Sequence, residues 1–195
     1  MSKEPAETIT LTARQVALVH DFIFGPQHRF DDRSVCIIGY MELFSRVQDK
    51  RPSLLKKLSG CLTTAEALFK SLADQAKSAQ LAVQAKRFNP QYDGEFSAES
   101  FYRLRRPTNP VPLKAKELED YFGQLADWAK AVTAFLHATS NRVEQSANDS
   151  DLSEVRDETK REFDALWEEQ KSLIAEFNTM CGIERSELNQ ACQMS

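Results

Sequence analysis

Apolar residues recur at alternating steps of four and three along most of this chain. The longest such seam starts after Pro52: Leu54, Leu58, Cys61, Ala65, Leu68, Leu72, Gln75, Ala79 and Ala82 follow one another within Ser53–Arg87. This is the spacing of a packed helical face, and it predicts a helix about 50 Å long. A second seam is equally regular: Leu118, Phe122, Leu125, Ala129, Val132, Leu136, Thr139 and Val143. Tyr121, Trp128 and Phe135 recur every seventh residue beside it. Together they make an apolar stripe wide enough to face more than one neighbour.

Two further arms are less uniform. Thr12 with Gln15 offers a capping box, and Leu18, Val19, Phe22 and Ile23 give the next residues one apolar face. Gly25-Pro26 then predicts a break or kink, after which Phe30, Ile37, Met41 and Phe44 resume helical spacing to about Gln48. The last arm, Leu152 to Met180, is polar at first. It becomes apolar through Phe163, Leu166, Trp167, Leu173, Ile174, Phe177 and Met180. Asp151 or Ser150 is its expected cap, with Glu154 completing a box for Asp151, and Gly182 is its stop.

Turn signals cluster between Phe88 and Pro112, in Asn89-Pro90, Asp93-Gly94, Pro107, Asn109-Pro110 and Pro112. Inside that loop Ser97 caps an expected short helix through Leu104, stapled by Phe96 and Phe101. The resulting expectation is an all-α, elongated four-helix bundle: a broken first arm plus three long helices. Residues 1–11 form a flexible N-terminus and 12–182 one bundle domain. The domain divides into a hairpin (12–87), a crossing loop (88–112) and a second hairpin (113–182). A tail (183–195) follows.

Composition and charge narrow the function more by exclusion than by indication. The 195 residues are 42% hydrophobic and 28% charged, with a net charge of −4, so no overall basic excess favours nucleic acid or anionic lipid. No apolar run approaches membrane-spanning length and no secretory leader is apparent, which makes the cytoplasm the expected compartment. Cys36, Cys61, Cys181 and Cys192 form no CxxC pair. The first three fall among apolar helical positions, so neither disulfides nor a zinc site is expected. No cofactor or metal is expected either, because P-loop, GxGxxG, GxSxG, HExxH and di-iron ExxH patterns are all absent. Arg14 and His20 fit the Arg-His spacing of HEPN ribonucleases only loosely, and they stand at the wrong end of the chain. His137 reads as a boundary residue beside the Leu136 seam.

Two features remain as candidate sites. From Lys86 to Lys116 seven basic residues stand against three acidic ones, whereas from Glu144 to Glu169 ten acidic stand against three basic. The candidate binding residues are Arg103, Arg105, Arg106, Lys114 and Lys116, with Phe101 and Tyr102 among them. Such a mixture suits an acidic protein surface or a nucleic acid, and its small net charge favours protein. The other feature is the run from His28 to Phe44, HRFDDRSVCIIGYMELF. It resembles the phospho-acceptor helix of sensor histidine kinases, H-[DE]-[FL]-N-N-x-L-x-x-I-x-G-Y-x-E-L-L. His28, Phe30, Ile37, Gly39, Tyr40, Glu42 and Leu43 stand at matching positions, and the likeness extends faintly over residues 20–80. It implies a dimerising hairpin with His28 as phospho-acceptor. Arg29 replaces the family's acidic residue, Asp31 and Asp32 its asparagines, and no nucleotide-binding half follows, so autophosphorylation is excluded.

The leading expectation is therefore a non-catalytic interaction or adaptor protein with a protein partner, a homodimer being one such assembly. The alternatives are a phosphotransfer-type regulator acting through His28 and a nucleic-acid-binding accessory protein using the basic 103–116 loop.

Overall fold

A computed structural model describes residues 7–90, 104–105, 110–146 and 151–185; of 17, 20–29, 104, 105, 184 and 185 only the backbone is described. Strand β1 (Thr8–Leu11) leads into helix α1 (Ala13–Arg46), and a 3₁₀ turn (Gln48–Lys50) into helix α2 (Arg51–Gln84). Strands β2 (Leu104–Arg105) and β3 (Val111–Lys114) precede helix α3 (Ala115–Gln145). Helix α4 (Ser153–Cys181) and strand β4 (Glu184–Arg185) follow. The all-α bundle is thus observed. Neighbours pack in a ring, α2 most extensively on α3, with α1 on α2 and α4, and α3 on α4. No helix among the described residues is long and apolar enough to cross a membrane.

The helices alternate in direction. β1 pairs antiparallel with β3, so α1 and α3 start at one end. The end of α2 returns there, since Gln84 donates to Glu119 of α3 at 2.8 Å and Lys86 pairs with Glu7 at 2.9 Å. At the opposite end, the Leu152 amide before α4 donates to Ser45 Oγ near the close of α1 at 3.0 Å. Up-down hairpins are the outcome.

Each helix contributes one ring to an aromatic centre. Phe30 of α1 meets Phe69 of α2 at 5.6 Å, Trp128 of α3 at 5.7 Å and Phe163 of α4 at 5.4 Å, all edge-on. Edge-to-face pairs at these distances add about 0.5–1.5 kcal/mol each beyond area burial. The indole N–H of Trp128 is also satisfied, donating to the Leu166 carbonyl at 2.9 Å.

Several expectations are corrected. α1 runs unbroken through Gly25-Pro26. An interior proline costs a helix about 3 kcal/mol. Here Val16 and Val19 before it, and Phe30, Ile37 and Met41 after it, all enter one core, and their burial outweighs that cost. On α2 the buried row is Leu54, Leu58, Leu62, Ala65, Phe69, Leu72, Ala73, Ala76 and Val83, while Cys61, Leu68 and Ala79 are half-buried and Gln75 is exposed. Residues 8–11, part of the stretch expected to be flexible, instead form β1, with Leu11 buried, and residues 1–6 lie outside the described residues. Leu104 belongs to a strand paired with Arg185, not to a helix end, and residues 97–103 lie outside the described residues. Cys36 is exposed, not a core thiol. Trp167 stays 38% exposed under the Lys171 ammonium, 4.0 Å from its ring.

The end signals of the sequence fare unevenly. Thr12 and Gln15 form the capping box, the Gln15 amide donating to Thr12 Oγ1 at 3.2 Å and the Thr12 amide to Gln15 Oε1 at 2.9 Å. Gly182 stops α4 in the left-handed region at φ 62°. Asp151, however, does not cap α4: Leu152 is its N-cap, and the Asp151 carboxylate accepts from the amide and hydroxyl of Ser153 in a local turn.

Candidate interaction surfaces

A groove of about 440 Å³ lies between α1 and α2. Its construction begins where α2 ends. Lys86 takes a left-handed conformation, φ 56°, and the Lys86 and Arg87 amides donate to the carbonyls of Val83 and Ala82. A non-glycine residue spends about 1–2 kcal/mol in that region. The Glu7 contact helps hold it there, and Asn89 is fixed by a 3.1 Å hydrogen bond from Gln15 Nε2. The turn lays Phe88 against Phe122 of α3, with ring centres 5.2 Å apart. Leu18, Val19, Ala79 and Pro90 complete the apolar lining, and Ser71, Asp74, Gln75 and Ser78 rim it. An apolar floor within a polar rim is what an inserted side chain or short amphipathic segment needs.

A second groove, about 450 Å³, follows the seam of α3 and α4 past Trp128 and Leu173, with Asp127 and Glu169 at its edge. Its edge is partly neutralised, because Lys130 binds Asp127 at 3.1 Å.

The candidate basic site divides. Phe101, Tyr102, Arg103 and Arg106 lie outside the described residues, and Arg105 is described only as the β2 backbone opposite Glu184. Lys114 and Lys116 bracket the start of α3, where acidic residues of the same helix take them. Lys114 pairs with Glu117, and Lys116 with Asp120 at 2.8 Å and Glu119 at 3.3 Å. The Asp120 and Glu119 hydrogen bonds hold the Lys116 ammonium above its usual range, while hydrogen bonds from Gln84 and Lys116 hold Glu119 below its own. Both lysines thus serve local ion pairs. The acidic half of α4 is not their partner; Arg142 of α3 binds Glu158 and Glu162, each at 3.0 Å.

His28 sits within the α1 backbone well after its start, and its side chain lies outside the described residues. His137 is exposed, its ring 3.5 Å from Glu66 of α2. Among the described residues no three histidine, cysteine or acidic side chains gather as for a metal ion. Comparisons with family models, with curated proteins and with solved structures find no match to this chain. The α1–α2 groove escaped the sequence reading because its floor joins residues far apart in the chain, Val19, Ala79 and Phe122. Phe88, an aromatic just past a helix end, was its one visible signal.

Proposed function

We propose that this chain is a non-catalytic helical-bundle interaction protein that receives an apolar segment of a partner polypeptide in the groove between α1 and α2. The observation that carries this reading is Phe88, a half-buried ring laid over core Phe122, with Leu18, Val19 and Ala79 beside it and Ser71, Gln75 and Ser78 at the border. Of the two rings only Phe88 keeps exposed surface, and an aromatic ring in an apolar concavity is a common anchor of polypeptide interfaces, with a polar rim to exclude water around it. The local pairing of Lys114 and Lys116 favours this reading over phosphate recognition.

Site-specific photo-crosslinking tests it. A crosslinker in place of Gln75 or Ser78 should join the chain to a polypeptide. One at Lys130, on α3, should not, and Ala79→Glu should abolish the product. Equal yield from all three positions, or a product that survives Ala79→Glu, defeats the groove as the docking site.

A further inference from the structure

α1 keeps an exposed face that the bundle does not use, and its residues are arranged symmetrically about Gly39. At about 100° per residue, Asp32, Val35, Cys36, Glu42, Leu43 and Arg46 fall within about 60° of Gly39 on that side. Val35 is 72% exposed and Leu43 46%, and Cys36 is exposed. A side chain built at Gly39 would meet nothing within 4 Å. The bundle therefore gives no packing reason for glycine there, although in a helix interior it costs about 0.5–1 kcal/mol relative to alanine. Gly60, open in the same way, lies on the antiparallel neighbour α2. Counted from the Arg51–Phe44 contact, it stands about one turn from the level of Gly39.

The symmetry has a chemical sense. Asp32 and Arg46 each stand seven residues from Gly39, and Val35 and Leu43 each stand four. A two-fold axis through Gly39 that lays α1 antiparallel on its copy brings Asp32 level with the second Arg46 and Val35 beside the second Leu43, twice over. Glycine meets glycine at the crossing, where a small residue lets two backbones approach. Two opposite-charge pairs and two apolar pairs are satisfied by one operation, which is the self-complementarity an isologous dimer requires. Arg46 can reach across by exchanging its exposed contact with Glu42.

We infer that this face of α1 is a homodimer interface, whose partner is a second copy of the chain docked antiparallel about Gly39. The inference concerns a face of α1 separate from the groove and does not rest on the function proposed there. One helix crossing buries less than the roughly 800 Å² per partner of a standard interface, so the dimer belongs to the weak class, with dissociation in the micromolar range.

Sedimentation velocity of the full chain from about 5 to 300 µM should show mass rising from the 22.2 kDa monomer towards twice that value. Gly39→Arg should weaken association at least tenfold while leaving the melting temperature unchanged or higher, since its side chain meets open space. Asp32→Arg and Arg46→Asp should each weaken association, and the two together should restore it. That restoration identifies the pairing and does not depend on Gly39→Arg. A strict monomer over this range, or a dimer indifferent to Gly39→Arg and to both charge reversals, overturns the inference. In either case groove crosslinking from Gln75 and Ser78 still reports separately on the function proposed above.

Discussion

The three cysteines of the helices occupy three environments, and their chemistry should follow. Cys36 is exposed, Cys61 half-buried, and Cys181 buried beneath the end of α4. Burial pushes the Cys181 thiol up to about 12 from an ordinary value of 9.0. Tyr121 shifts in the same direction; its hydroxyl is buried with no hydrogen-bond partner among the described residues, beside Phe177 at 5.4 Å. Both groups are neutral in the folded protein at neutral pH, and unfolding lowers their pKa. Their contribution to stability is therefore complete below pH 9 and is lost as pH rises, because the unfolded chain ionises first. Stability from urea titrations should fall by about 4 kcal/mol between pH 8 and pH 11. Combining Cys181→Ala with Tyr121→Phe should flatten that fall. An equally steep fall in the double variant would place its origin in other groups. Thiol labelling at pH 8 gives a second check: Cys36 should react fastest, and Cys181 only at the rate of opening.

At the scale of the element, the instructive case is the phase of α2. Steps of four and three fit both the row through Cys61, Leu68 and Gln75 and the row through Leu62, Phe69 and Ala76, since each disputed pair holds residues able to be buried or placed beside a core. Phe69 decides between them. Its ring meets Phe30 and Trp128 at 5.6 Å each, partners on α1 and α3 that no local pattern can reveal. Gln75 was the legible warning, because a core row asks for Ala76 in its place. α3 shows the opposite situation: every residue of its seam and its seventh-residue aromatic stripe is buried, since its apolar arc is broad enough to leave one solution. α1 was misread at Gly25-Pro26 because local propensity argued for a break that tertiary burial on both sides overrides. The α2 assignment has a direct test. Phe69→Ala should cost about 3–5 kcal/mol and Leu68→Ala no more than about 1–2 kcal/mol. Equal losses in denaturant titrations would return α2 to the phase that its sequence first suggests.

The whole molecule is held differently at its two ends. Where α1 and α2 meet, a short turn suffices, with Arg51 donating to the Phe44 carbonyl at 3.3 Å and lying over the Phe44 ring. At the other end, the starts of α1 and α3 and the ends of α2 and α4, mostly distant in sequence, must be gathered. Strand β1 does so, pairing Thr8 with Lys114 through Leu11 with Val111, while the Ala115 amide donates to the Glu7 carbonyl at 2.8 Å. Buried Leu11 and Leu113 add an apolar underside to this clasp. The alternating Thr-Ile-Thr-Leu pattern is a fair strand signal, yet four residues become a strand only when a partner is supplied, and that partner arrives a hundred residues later. Such long-range pairing is the part of a helical bundle that can open while the helices persist. Deleting residues 1–10 leaves Leu11 and the Thr12 capping box in place, so the helix retains its start. Amide hydrogen exchange should then accelerate at least tenfold over the first two turns of α1 and the first turn of α3. The amides of α1 from Met41 to Arg46, at the far end beside Ser45 and Leu152, should exchange as before. Uniform acceleration along α1 would mean that β1 supports the fold as a whole and is not a clasp on one end of it.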